Sequence, residues 1–427
     1  MTKEQSNNKY TSILMLLMAL YPILWTYVSF LNLNYGETAL FIVSLIIFFQ
    51  YPQKLFSNLP RGYMLFWGIC AICLVLHGGG FKFSYLIPGG VVFFIFSVSL
   101  AASSLCFSIE KFYKYYRIAF VFSVIVFILQ TLRLLPEQYN YLFVLPFSDH
   151  IAYTGTELST VFNHRNGGRS SSFFLEPAYY SQFVTIFLIL ELFYKAGKNK
   201  LYTKTSLFVI VLLIFIRSGL GMLGLVMVLT YKAYDFLSNS RNYTKYLLIL
   251  IPLVFFFLKL YLGSEMGESL LERKEELTME DSSGYVRILQ GALFFSNLPL
   301  LNKFIGVSQE QLIEFNKSII TYGPDDYISL FTNGFFTLTL SNGLIGLFVF
   351  LVMCYLLYKA SNSLGRCSLW VLLSFSLVEQ VYLGSSMLIC LFIACADRIK
   401  GIPVNAHCQL FVQHYSPNRI KPDSSLE

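Results

Sequence analysis

One segment of the chain, residues 169–180, combines residue types that can act on a phosphorylated, sugar-bearing lipid where a polar loop meets an apolar segment. It reads Arg-Ser-Ser-Ser-Phe-Phe-Leu-Glu-Pro-Ala-Tyr-Tyr. Proline favours the first turn of a helix, so we expect a helix to begin at Pro177 with Glu176 at its boundary. Amide groups at such a helix end attract anions. The guanidinium of Arg169 matches phosphate geometry through paired hydrogen bonds.

Glu176 is the candidate base of this segment. At the mouth of a helix, its carboxylate could accept a proton from an attacking hydroxyl group. The alternative is a structural helix cap that pairs with an arginine. Tyr179 and Tyr180 follow it and are either aromatic residues at the membrane interface or a surface on which a sugar stacks.

Three further arginines are candidate ligands for phosphate. Arg165 lies in the same loop and is either a second phosphate ligand or a solvated loop charge. Arg217 separates two apolar segments with almost no loop between them, so its charge faces water or a polar cavity. Charges close to a membrane are functional hypotheses by default, although the Arg217 side chain could simply extend to the interface. Arg287 precedes an apolar stretch in the longest predicted loop.

Motifs of common hydrolases and nucleotide-binding enzymes are absent from the sequence. There is no His-Glu-x-x-His pair, no Ser/His/Asp order and no phosphate-binding glycine loop. Asp325 and Asp326 are interpreted as helix caps, and a divalent metal site there is the lesser alternative because no third ligand is evident. We therefore predict neither a metal site nor a cofactor.

The composition indicates a membrane protein. The chain of 427 residues is 56% hydrophobic and 13% charged, whereas a soluble domain carries about 25% charged residues. Apolar runs recur along nearly the whole length, which predicts an all-α polytopic membrane protein. The net charge of +7 does not indicate a nucleic-acid partner, because the basic residues are scattered through short loops.

A span needs about 20 apolar residues, and this criterion predicts about twelve transmembrane helices. They lie near residues 11–30, 37–51, 62–76, 86–107, 117–134, 177–194, 204–216, 218–235, 246–262, 332–358, 368–382 and 384–397. Basic residues concentrate in alternate connections, and the positive-inside rule then places both termini in the cytoplasm.

The predicted spans form a single integral membrane domain covering residues 1–427. Two large external loops are expected at residues 135–172 and 263–331, and a cytoplasmic tail at residues 399–427. Within the second loop, the apolar residues 288–304 should lie on the membrane surface or cap a cavity, and a solvated loop with a buried helix is the alternative. Cys70 and Cys73 are interpreted as packing residues in an apolar helix, and no disulfide is expected.

These residues together resemble the bacterial O-antigen polymerase family, of the Wzy type. Its members show an arginine shortly before Phe-x-x-Glu-Pro, here Arg169 and residues 173–177. They often show Ser-Arg-Ser-Gly between two closely spaced spans, and here Ile216 replaces the first serine before Arg217. Arg287 matches an arginine early in the largest external loop, although the usual tryptophan does not follow it. Gly343 and Gly346 match a Gly-x-x-Gly pattern in the next span.

The resemblance implies a membrane glycosyltransferase that needs no metal. Undecaprenyl-diphosphate-linked glycan serves as both donor and acceptor, and repeat units are joined into O-antigen, capsule or other polysaccharide. Arg169, Arg217, Arg165 and Arg287 would then bind the leaving diphosphate, since preorganised cations stabilise charge that develops in a transition state. Glu176 would be the catalytic base and Tyr180 a substrate-binding residue.

The resemblance also implies a location and partners. The chain would lie in the bacterial inner membrane with its active site facing outward, together with membrane lipid, a chain-length regulator and a flippase. An O-antigen ligase is the nearest alternative, but ligases carry a histidine in the large external loop, and residues 263–331 contain none. A flippase-type transporter is the other alternative, although internal repeats and charges deep in the spans are not evident.

Overall fold

The computed structural model describes residues 3–28, 34–51, 59–76, 83–136, 139, 149–150, 169–197, 200–238, 290–308, 311 and 332–397. Several predicted features lie outside these residues, namely Arg165, Arg287, Asp325, Asp326, the predicted span 246–262 and the predicted tail 399–427. The described part is helical almost throughout.

The first third of the chain forms five helices, which are α1 (Lys3–Leu24), α2 (Tyr35–Gln50), α3 (Arg61–Leu76), α4 (Phe83–Cys106) and α5 (Ile109–Thr131). Side chains cap their starts where the sequence supplies them. The Glu37 N–H donates to Asn34 Oδ1 at 2.6 Å, and such a cap satisfies an amide that has no partner within the helix.

The middle of the chain forms α6 (Pro177–Ile189), a π-helical turn (Leu190–Lys195), α7 (Lys204–Ile216) and α8 (Gly219–Ser238). The remaining helices are α9 (Gly291–Asn297), α10 (Leu300–Ile305), α11 (Gly334–Ala360), α12 (Ser363–Ser376) and α13 (Ser385–Ala396). Strands are limited, among the described residues, to a two-residue antiparallel pair of β1 (Tyr27–Val28) and β2 (Asp149–His150), with Tyr27 opposite His150.

Helices occupy every predicted span that the structure describes. Three of them are long and apolar enough to cross a membrane, namely α5, α8 and α11. The other apolar helices offer shorter apolar stretches among the described residues, for example Ser12–Leu24 and Gly89–Ser103. The prediction of an all-helical chain is therefore confirmed for the described residues, and the count of twelve spans stays a prediction.

Helices α6 and α13 form the centre of the bundle, because their side chains are buried around almost the whole circumference. A helix that is apolar on all sides belongs in a core or a membrane. Outer helices instead expose apolar side chains, as α5 does at Ile118 and Phe122. The site discussed below lies where α6 begins.

Helix α11 is interrupted at Gly343, whose φ of 66° and ψ of −175° are not helical. The segment after α10 packs into this interruption, and the Val307 N–H donates to the Leu340 carbonyl at 2.8 Å. The Asn342 carbonyl accepts a hydrogen bond from Cys73 Sγ at 3.6 Å. Backbone groups freed by the break thus regain partners, as a membrane interior requires.

The apolar part of the predicted second loop is consequently an integral part of the bundle. Pro299 separates α9 from α10, as the proline interruption suggested. Leu300 and Leu301 remain exposed, while the residues just after α10 pack against α11.

Candidate functional site

The serines of the 169–180 segment hold the backbone in place. Ser172 donates its N–H to Gln130 Oε1 at 2.8 Å, and its carbonyl accepts from Gln130 Nε2 at 3.1 Å. Its hydroxyl donates to the Ser123 carbonyl at 2.7 Å. Ser171 donates to the Phe174 carbonyl at 2.6 Å. Two of the three serine hydroxyls are therefore buried structural groups, and the loop is attached to α5.

A second set of bonds attaches the same loop to the end of α1. The Tyr27 hydroxyl donates to the Phe173 carbonyl at 3.0 Å. Thr26 Oγ1 lies 3.3 Å from the same oxygen, although its single proton has a closer acceptor in the Ile23 carbonyl at 2.7 Å. The approach to α6 is thus positioned by α1 and α5 together.

Arg217 occupies the turn between α7 and α8 and has a left-handed backbone conformation, with φ 54° and ψ 38°. Its N–H donates to the Ile214 carbonyl at 3.1 Å, and its side chain is exposed. Only Arg217 and Ser218 separate the two helices, so the absence of a loop is as expected. A non-glycine residue in this conformation is strained and frequently marks a functional position.

The structure brings Arg169 and Arg217 together, although 48 residues separate them in sequence. Arg169 Nη1 donates to the Arg217 carbonyl at 2.7 Å. The side chain of Arg169 therefore contacts the turn that carries Arg217, near the beginning of α6.

Glu176 lies where the sequence predicts, as the residue before α6 with Pro177 in the first helical position. Its backbone is extended, with φ −136° and ψ 153°, and its side chain makes no capping hydrogen bond. Its carbonyl accepts the amides of Tyr179 and Tyr180. The carboxylate is thus not a hydrogen-bonding cap of α6, and its pairing with an arginine stays a prediction. The side chain is half-buried at the helix mouth.

Close packing of α6 on α8 holds the arginine turn beside this helix mouth. Ser181 Oγ donates to Ser218 Oγ at 3.2 Å. A Cβ added at Gly221 would lie 2.8 Å from Ser181 Cβ, so only glycine allows this approach. Small residues at helix interfaces commonly serve this purpose in membranes.

Tyr180 differs from the sequence-based expectation. Its side chain is completely buried, with its ring 5.6 Å from that of Phe174 and 5.3 Å from that of Phe127. Because the rings of Phe127 and Phe174 cover it, Tyr180 presents neither an interface position nor an open surface for stacking. Tyr179 is half-buried, with its ring edge-on to Trp25 at 6.3 Å.

The other candidates cannot be assigned positions. Arg165 and Arg287 lie outside the described residues, so the proposed set of four arginines is represented here by Arg169 and Arg217. No group of three His, Cys, Asp or Glu side chains within the described ranges could hold a metal ion. The cysteines described there, Cys70 and Cys73 among them, are buried and free.

Two polar residues with a clear structural role were not singled out from the sequence. Gln130, near the end of α5, is completely buried and carries both bonds to Ser172. An uncharged amide within an apolar helix was the available signal. Lys232 in α8 is only 1% exposed, and its ammonium donates to the carbonyls of Leu192 and Gly197 at 2.8 Å and 2.6 Å.

Chemically, the arrangement combines two cations, the N-terminus of a central helix and a carboxylate. The cations and the helix end favour a group with concentrated negative charge, and the carboxylate can exchange a proton.

No protein-family model matches this chain, and no curated protein is significantly similar to it.

Proposed function

We propose that this chain is a membrane glycosyltransferase that joins polyprenyl-diphosphate-linked oligosaccharide repeat units, as O-antigen polymerases do. One observation carries the proposal, which is the 2.7 Å bond from Arg169 Nη1 to the Arg217 carbonyl. It joins the side chain of one arginine of the family resemblance to the backbone of the other, near the Glu-Pro start of α6.

The proposed reaction forms one glycosidic bond and breaks one bond to diphosphate. A hydroxyl oxygen of the acceptor sugar attacks the anomeric carbon of the donor glycan, and the carbon–oxygen bond to the polyprenyl diphosphate breaks. Glu176 takes the proton of the hydroxyl group. Arg169 and Arg217 stabilise the negative charge that gathers on the departing diphosphate.

The proposal includes the finer topology. About twelve spans with both termini in the cytoplasm would place the start of α6 at the outer face of the inner membrane. Lipid-linked donor and acceptor would both reach the site from that leaflet. A chain-length regulator and a flippase would be its partners, and no nucleic acid is involved.

A flippase-type transporter is the second candidate, and the interruption of α11 at Gly343 is the observation that favours it. Interrupted helices are common at the substrate sites of secondary transporters. An O-antigen ligase has no comparable support, because the histidine of that family is missing from residues 263–331.

The first test is reconstitution of the purified chain in vesicles with lipid-linked repeat units. Polymer formed without an ion gradient supports the glycosyltransferase, and translocation without polymer supports the transporter. Arg217→Ala should lower the polymerisation rate about 100-fold, the typical effect of removing one transition-state hydrogen-bond donor. Protein abundance should not change, since this side chain is exposed.

Lys204→Ala is the matched control. Lys204 is also exposed and is the first residue of α7, whereas Arg217 follows the last residue of the same helix. It should polymerise at the wild-type rate. Equal polymer length from Arg217→Ala and Lys204→Ala would exclude Arg217 from diphosphate binding, and full activity of Glu176→Gln would exclude the carboxylate as base.

A further inference from the structure

A cavity of about 590 Å³ lies on α5 beside the π-helical turn, far along the bundle from the site above. Three cations line it, and these are Lys114 and Arg117 of α5 and Lys195 at the end of the turn. All three side chains are exposed. Glu110 is the one carboxylate in the lining, so the positive charge exceeds the negative and the cavity favours an anion.

The part of the lining that α5 contributes becomes apolar further along the helix. Ile118, Val121 and Phe122 complete the lining on this helix, and they are 47%, 47% and 60% exposed. From residue 110 to residue 122 the helix rises about 18 Å. One face of a helix long enough to cross a membrane therefore passes from charged to apolar with depth.

The floor of the cavity is held rigidly. Tyr113, which also lines it, donates its hydroxyl to a carboxylate oxygen of Glu191. The second carboxylate oxygen accepts from Thr203 Oγ1 at 2.9 Å. The buried ammonium of Lys232 binds the carbonyls of Leu192 and Gly197 on the other side of the turn. Lys195 is thus presented from a fixed backbone, so binding does not have to order the backbone of the turn.

We propose that this cavity binds an anionic phospholipid, with its phosphodiester headgroup on Lys114, Arg117 and Lys195 and an acyl chain along the apolar face of α5. Both halves of the lining are needed for this assignment. A soluble anion would use the cations and leave the apolar wall unexplained, whereas a zwitterionic lipid would not use the excess positive charge. Basic pockets between membrane helices on the cytoplasmic side suit such headgroups, and the positive-inside rule predicts that this end of α5 is cytoplasmic. The inference does not depend on glycosyl transfer.

The test is native mass spectrometry of the full-length protein in detergent, titrated with phosphatidylglycerol. The wild-type chain should bind it, and phosphatidylcholine of the same chain length should bind at least tenfold more weakly. The variant Lys114→Gln/Arg117→Gln/Lys195→Gln should lose affinity for phosphatidylglycerol on the order of 100-fold. Each basic residue near an anionic headgroup raises the affinity about fivefold, and three are removed. The charge-preserving Lys114→Arg/Lys195→Arg variant should retain binding.

The matched control is Lys200→Gln/Lys204→Gln/Lys359→Gln, which removes the same charge from exposed residues outside the cavity. It should bind phosphatidylglycerol like the wild type. Equal losses from both triple variants would overturn the proposal, since attraction would then be a general surface effect. Displacement of the lipid by inorganic phosphate at equal concentration, or equal binding of dihexanoyl and dioleoyl phosphatidylglycerol, would also overturn it by showing that the apolar wall contributes nothing.

Discussion

Arg217 combines an exposed charge with a left-handed backbone conformation that residues other than glycine seldom adopt. The left-handed conformation costs about 1–2 kcal/mol for such a residue. Glycine at this position would remove the strain and would still allow the turn between α7 and α8. The proposed binding of diphosphate would give the Arg217 guanidinium a task that glycine could not perform.

Replacing Arg217 with glycine should therefore separate stability from activity. We expect Arg217→Gly to raise the free energy of unfolding by about 1 kcal/mol and to reduce polymer formation about 100-fold. Thermal unfolding in detergent and polymerisation in vesicles measure the two effects. Arg133→Gly is the matched control, because Arg133 is an exposed arginine with φ 55° after α5; it should gain stability without losing polymerisation. A fully active Arg217→Gly variant would contradict the proposed role.

Helix α11 and the segment after α10 depend on each other at the scale of elements. A Cβ at Gly343 would lie only 1.9 Å from the Phe304 carbonyl oxygen, and one at Gly306 would lie 2.5 Å from the Ser341 backbone. Two glycines in left-handed regions, with φ 66° and 84°, thus allow two backbones to touch. The break in α11 exists because this segment occupies it.

Gly343→Ala should expel the segment from the break. The clash and the unfavourable φ together should cost about 3 kcal/mol of stability. The expected results are a lower unfolding temperature in detergent and faster proteolysis near Val307. Gly68→Ala is the control in α3, the helix whose Cys73 bonds to the break. Nothing lies within 4 Å of a Cβ at Gly68, so alanine there should stabilise by up to about 1 kcal/mol. Identical behaviour of the two variants would argue against the inserted segment.

At the scale of the whole molecule, the polar clusters lie at two ends of an apolar bundle. The cluster of Arg169, Glu176 and Arg217 lies at the start of α6, and the cluster of Glu191 and Lys232 lies beyond its end. A polar cluster at each end with a buried apolar helix between is the arrangement that a bilayer favours. The charge distribution predicts that the first end is outside the cell.

Cysteine labelling can test this orientation. Leu132 and Tyr202 are 60% and 57% exposed, near the two opposite ends. A membrane-impermeant maleimide applied to intact spheroplasts should label Leu132→Cys and not Tyr202→Cys. Both should react after permeabilisation, and the unsubstituted chain gives the background. Labelling of Tyr202→Cys alone in intact spheroplasts would invert the topology and place the arginines in the cytoplasm.

The sequence by itself determined the features that depend on local chemistry. Pro177 cannot donate a backbone hydrogen bond, so the start of α6 and the position of Glu176 followed from residue type alone. The helices also followed from the sequence, because apolar runs of adequate length predicted them. Each backbone group in a membrane needs a hydrogen-bond partner, and a helix supplies it within one segment.

Only the tertiary structure decided which distant groups meet. Three contacts join segments that are far apart in the sequence, namely the bond from Arg169 to Arg217, the paired bonds between Gln130 and Ser172, and the contact of Phe304 with Gly343. Local propensity carries no information about such pairs, because they depend on how helices pack and on which side chain faces inward. Tyr180 illustrates this limit. Its sequence context leaves an interface position and a sugar site open, and packing against Phe127 and Phe174 places it in the core instead.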